Sequence, residues 1–91
     1  MTVVRSIDRT GALVVNGEPL GEVRVEIDVH FRGNMYDGEG TITGAPDLLR
    51  QALGAGKSKV TWPNGEVEII IRQLYGMEGV ADIVTSGPVP E

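Results

Sequence analysis

The 91-residue chain contains no cysteine. That excludes disulfides and thiolate chemistry, and it fits a reducing compartment. Histidine occurs once, at His30, so a metal site would have to draw its other ligands from carboxylates. Aromatics are scarce, namely Phe31, Tyr36, Trp62 and Tyr75. The core must therefore rest on Val, Ile and Leu. Cations are few as well: eight Lys and Arg stand against thirteen Asp and Glu, for a net charge of −5. They are scattered along the chain, whereas nucleic-acid binding depends on clustered cations that displace counterions. No nucleic-acid partner is expected. There is no run of about 18 apolar residues, and the first ten residues have no hydrophobic signal core. The simplest expectation is a soluble cytoplasmic protein with no membrane partner.

Glycine, by contrast, is abundant: thirteen glycines and five prolines imply many turns and an all-β domain spanning 1–91. The clearest pattern is Val23–Phe31, with apolar residues at 23, 25, 27, 29 and 31 and polar ones between. A period of two over nine positions gives a long strand with one dry face and one wet face. Before it, Thr2–Ile7 reads as a short edge strand and Gly11–Val15 as a second strand. A six-residue connection starting at Asn16-Gly17 leads into the long strand. Gly33-Asn34 turns the chain into a third strand, Met35–Thr43, where Gly38 and Gly40 mark bulges or close approaches of another backbone.

The pattern changes after Gly44. Pro46 suits the first position of a helix, Asp47 complements its N-terminus, and Leu48, Leu49, Ala52 and Leu53 share one face. A helix this short persists only when packed, so it is expected to plug one end of the sheet assembly. Lys57–Trp62, a turn at Pro63-Asn64-Gly65-Glu66 and Val67–Ile71 form a hairpin. The broken alternation at Arg72-Gln73 predicts a bulge, and Val80–Ser86 is the last strand. The fold expected is mainly β: two three-stranded meanders joined by one short helix, closed into a six-stranded antiparallel barrel or a flattened sandwich. The two meanders share the order Asn-Gly-Glu, strand, Tyr, Gly and Pro, which suggests an internal repeat.

Candidate chemistry is sparse. Gly54-Ala55-Gly56-Lys57-Ser58 ends like a phosphate loop, but Gln51 stands where the first glycine should be, and here a helix runs into a strand instead of the reverse. Asp37, Glu39, Glu78 and Asp82 could meet if the meanders are related by a twofold, which would allow acid–base work or a hard cation. His30 lies in a mixed-charge row with Arg24, Glu26, Asp28 and Arg32, most simply a solvated strand face. No set of residues resembles a nucleophilic triad. Ile70 is the informative oddity, because its phase turns it outward between Glu68 and Arg72. With Trp62 or Tyr75 beside it, it would form an apolar patch of the kind that marks an interface. Tyr36, Trp62 and Tyr75 otherwise serve as core, or as the lining of a barrel mouth.

Gly11-Ala12, Asn16-Gly17, the alternating strand to Phe31, Asp37-Gly38, Gly40 and Gly87-Pro88-Val89-Pro90 resemble a small β-domain appended to actinobacterial flavin-dependent monooxygenases. The resemblance implies a non-catalytic accessory domain and carries no catalytic residues. The functional expectation is a non-enzymatic module, without cofactor or metal, that self-associates as a homo-oligomer or docks on a larger protein. Ile70, Trp62, Tyr75 and Tyr36 would make the contact, with His30 and Arg32 at its margin. The alternatives are a barrel that binds a small apolar ligand and, last, a metal-dependent enzyme using turn carboxylates.

Overall fold

The computed structural model describes residues 2–33, 35–55, 57–75 and 79–86, with all side chains of these except those of Thr2, Val3, Val4, Arg32 and Lys57. Its elements run β1 (Thr2–Val15), β2 (Glu18–Arg32), β3 (Met35–Thr43), α1 (Pro46–Ala55), β4 (Lys57–Trp62), β5 (Gly65–Leu74) and β6 (Val80–Thr85). The strands close into an antiparallel barrel in the order β1-β2-β3-β6-β5-β4. Each meander is a contiguous run of this ring, and like strands meet at both seams, β1 with β4 and β3 with β6.

The first half departs from the expectation in two respects. Residues 2–15 form one strand, not two, because β2 is long enough to pair with it from Thr2↔Phe31 to Val15↔Glu18. The polar run Asp8-Arg9-Thr10 stays extended inside that strand, and Arg24 of β2 grips Asp8 through two hydrogen bonds, Nε to Oδ1 at 2.9 Å and the guanidinium nitrogen to Oδ2 at 2.8 Å. The connection to β2 is a two-residue turn and not the six-residue connection expected, because Glu18–Glu22 already pair with β1; Asn16 stands at φ 54° and Gly17 at φ 80°. Both angles suit an Asn-Gly hairpin turn. A register shift at Leu13/Val14 absorbs the extra residue between Pro19 and Gly21.

The long strand buries Val23, Val25, Ile27 and Val29 as its phase requires. They meet Ile42 of β3, Val60 of β4, Val67, Ile69 and Ile71 of β5, and Ala81 and Ile83 of β6 in one core. The glycines of β3 mark close approach. A Cβ at Gly40 would lie 1.8 Å from the Glu26 carbonyl oxygen, so β2 backbone occupies that space. The bulge of β5 falls between Ile71 and Gln73.

Strands β3 and β4 lie opposite each other in the ring, and α1 connects them. Six strands spaced about 4.8 Å apart and tilted by about 40° enclose a ring roughly 12–13 Å across. A ten-residue helix is about 15 Å long, enough to cross that end. It does so with Leu49 and Ala52 fully buried in the barrel core, while Leu48 fills the space left by Gly21. Asp47 in its first turn pairs with Arg50 at 2.9 Å.

The opposite end is oblique. Strand β2 has 15 residues and β1 has 14, whereas β4 and β6 have six each. The β1–β2–β3 side of the ring therefore rises beyond the β6–β5–β4 side. Phe31, the fifth apolar residue of the alternating stretch, sits on that overhang and is not buried.

Candidate functional site

The tip of the overhang exposes three large apolar side chains, Phe31, Met35 and Tyr36. Phe31 and Tyr36 are direct cross-strand partners on β2 and β3. Their ring centroids are 5.0 Å apart with planes at 50°, a tilted arrangement that aromatic pairs favour. Phe31 is nevertheless 47% exposed, Tyr36 55% and Met35 70%. Gly33, at φ 63°, opens the turn between them. Cross-strand pairing sets Phe31 against Tyr36, whereas Met35 stands opposite Arg32 on the alternate face of the hairpin.

Just inward, β3 is held by a side chain instead of a strand. The Gly38 amide donates to Thr85 Oγ1 at 2.9 Å, and that hydroxyl donates to the Gly38 carbonyl at 3.3 Å. His30 lies beside this clasp, mostly covered, with Nε2 3.7 Å from Glu39 Oε1 and Nδ1 buried without a partner. His30, Asp37, Glu39 and Thr85 border a shallow cleft of about 210 Å³. Glu39 continues into a second cleft of about 410 Å³ with Thr41, Arg72, Gln73 and Asp82.

Across the mouth, the β1–β4 seam is short. The two strands pair only from Ala12↔Thr61 to Val14↔Lys59, and β4 ends at Trp62. From Arg5 to Thr10, β1 pairs with β2 alone among the described residues. A cleft of about 310 Å³ runs along this edge, lined by Arg5, Ser6, Ile7, Asp8, Arg9, Trp62 and Asn64. Trp62 leans on the core from its rim, and Gly65 leaves room for the indole, since a Cβ there would stand 3.1 Å from Trp62 Nε1.

The residues singled out from the sequence divide between these places. Tyr36 and His30 come together on the overhang; Arg32 pairs with Met35 through its backbone, and its side chain lies outside the described residues. Trp62 is at the open end but on the far seam. Ile70, 37% exposed, points outward from the middle of β5 between Lys57 and Val84. Tyr75 follows the other end of β5, near the helix, where its hydroxyl donates to Asp82 Oδ2. That bond holds the phenol's pKa above its ordinary value, with desolvation and the Asp82 charge adding to the effect. Ile70, Trp62 and Tyr75 thus do not form one patch.

Phe31 and Met35 are the surface residues that the sequence reading missed. Their signal was the turn at Gly33, which sets residue 31 against 36 and 32 against 35. Of the four acids, Glu78 lies outside the described residues, Asp82 is engaged by Tyr75, and Glu39 faces His30. Among the described residues no three His, Asp or Glu side chains are placed to hold a metal ion. No helix among them is long and apolar enough to cross a membrane. No protein-family model matches the chain, and neither a curated protein nor a solved structure matches it.

Proposed function

We propose that this chain is a non-catalytic binding module of the cytoplasm that seats its open end on a protein surface, that of a second copy or of a larger partner. The observation that carries this reading is the exposed aromatic pair Phe31 and Tyr36, with exposed Met35 on the other face of the same hairpin tip, on the part of the hairpin that outruns the ring. Full burial of a large apolar side chain contributes about 1.5–3 kcal/mol, and the half-exposed Phe31 and Tyr36 have roughly half of that still to gain. Phe31 and Tyr36 form the centre of a contact bordered by His30, Asp37 and Glu39. The opposite end already spends its apolar surface on α1. The barrel interior is filled by its own Val, Ile and Leu side chains, as is usual in small barrels, which favours this reading over a ligand held inside.

A photo-reactive phenylalanine analogue placed at Tyr36, with the same probe at exposed Thr43 as control, tests the proposal in the cells that make the protein. Self-association gives a Tyr36-dependent adduct of twice the chain mass, and docking gives one discrete larger adduct. Equal labelling from both positions would remove the open end as the docking surface.

A further inference from the structure

The sequence holds two Asn-Gly steps, Asn16-Gly17 and Asn64-Gly65, and each lies at the tip of a hairpin. An asparagine before glycine is chemically labile, because no side chain on the next residue shields its backbone nitrogen from the asparagine's own carboxamide carbon. Sequence alone gives the two steps equal standing; the structure does not. In the first hairpin Val15 pairs with Glu18, so Asn16 and Gly17 are the two central residues of the turn. The bond that closes such a turn comes from the nitrogen of its fourth residue. Neither the Gly17 amide nor the Asn16 carboxamide has a hydrogen-bond partner among the described residues. Both residues are exposed, and a Cβ on Gly17 would meet nothing within 4 Å. In the second hairpin the closing pair is Trp62↔Gly65, which puts the turn one residue earlier, at Pro63-Asn64. Gly65 is then the fourth residue, with its N–H directed at the Trp62 carbonyl. The Trp62 indole also stands over it, Nε1 being 3.1 Å from where a Cβ would be.

We propose that Asn16 is a site of spontaneous modification, converting to aspartate and isoaspartate in the folded protein, and that the fold shields Asn64 from the same reaction. The Gly17 nitrogen loses its proton to solvent base and attacks Asn16 Cγ. The new N–C bond closes a succinimide ring as the carboxamide nitrogen leaves as ammonia. Water then adds to one of the two ring carbonyls and breaks its bond to the Gly17 nitrogen. Breaking the bond at Cγ restores an ordinary peptide with aspartate in place of asparagine. Breaking the one at the main-chain carbonyl leaves the chain running through the side chain, as isoaspartate. Aspartate-glycine still suits the turn and adds one negative charge to the net −5. Isoaspartate puts an additional methylene between Val15 and Glu18, the pair at which β1 and β2 begin their ladder, so this product loosens the turn. The site lies at the end of the hairpin remote from Phe31 and Tyr36, and the inference does not depend on docking there.

The test holds the whole chain at mildly alkaline pH and body temperature, in buffer and in parallel in guanidinium chloride. Peptide mapping of timed samples separates the asparagine, aspartate and isoaspartate forms of each turn. The denaturant arm gives each site's rate without structure, and dividing by it removes the effect of flanking sequence. After that division Asn16 should convert faster than Asn64 by about fivefold or more, since the Trp62–Gly65 bond must open before Asn64 can react. Isoaspartate should accumulate at Asn16 alongside aspartate. Asn16→Gly, whose Gly-Gly pair keeps the turn, should remove the early acidic species. Equal slowing of both sites by folding, faster conversion of Asn64 in buffer, or an undiminished early acidic species in Asn16→Gly would each overturn the proposal. None of these outcomes alters the crosslinking result at Tyr36, so the two readings fail separately.

Discussion

Gly40→Ala tests how closely β3 is laid against β2. In the absence of steric conflict, replacing Gly by Ala stabilises a protein by about 0.4–1 kcal/mol, because the unfolded chain loses freedom. Gly40 does not have that option. Its Cβ would stand 1.8 Å from the Glu26 carbonyl oxygen and 2.9 Å from both the Glu26 carbonyl carbon and Ile27 Cα, all backbone atoms that cannot swing aside. Relief requires β2 and β3 to part around Ile27↔Gly40. Overpacking of this kind costs about 1–3 kcal/mol, and a buried ladder bond left unmade costs about 1–3 kcal/mol more. Against the small entropic gain, a net loss of about 2–4 kcal/mol is expected. In a domain of this size that lowers the melting temperature by roughly 10–25 °C. Gly54→Ala is the internal control, since a Cβ there meets nothing within 4 Å and the residue is in α1. It should stabilise by about 0.5 kcal/mol. Urea unfolding of the two variants reads both numbers. A neutral or stabilised Gly40→Ala would refute the close β2–β3 approach and the register built on it.

Leu49→Ala removes the helix's main anchor, which is completely buried, and should cost about 2–5 kcal/mol by urea unfolding; a loss under 1 kcal/mol would mean that α1 does not plug the barrel. The hydrogen bond from Arg24, reinforced by its charge, holds the Asp8 carboxyl below the usual carboxylate range. A depressed carboxylate pKa contributes stability that is present above the unfolded-state value of about 3.9 and is lost as pH falls through the folded-state value. Asp8→Asn should accordingly flatten the acid limb of the stability–pH curve, and added salt should mimic part of that change. An acid limb identical in the variant would dissociate Asp8 from Arg24.

Much of the architecture could be read from local pattern. The period of two in β2, the Asn16-Gly17 turn, the Pro46 start of the helix and the interruption at Gln73 each have a local physical cause, and each appears at its place. What could not be read depended on partners distant in sequence. The polar stretch Asp8-Arg9-Thr10 looks like a break because an edge strand with inward arginines shows no clean alternation; β2 holds it extended all the same. Phe31 carries the same dry-face signature as Val29. Its exposure follows only from β4 and β6 being six residues long while β2 has fifteen. Ile70, Trp62 and Tyr75 are close in sequence and on or next to one hairpin, yet they lie in the middle and at the two ends of β5. Their separation is a matter of register and strand direction, which composition does not contain.

Site-resolved amide hydrogen exchange on the free protein tests most directly whether the barrel leaves one end and one strand edge open. Uninterrupted protection is expected from Arg24 to Val29 and through Ala12–Val14, where partners stand on both sides. From Arg5 to Thr10 every second amide should exchange fast, because among the described residues only the β2 side of β1 is paired there. Uniform protection across Arg5–Thr10 would show that the edge is already covered, and the open end would be closed on that side.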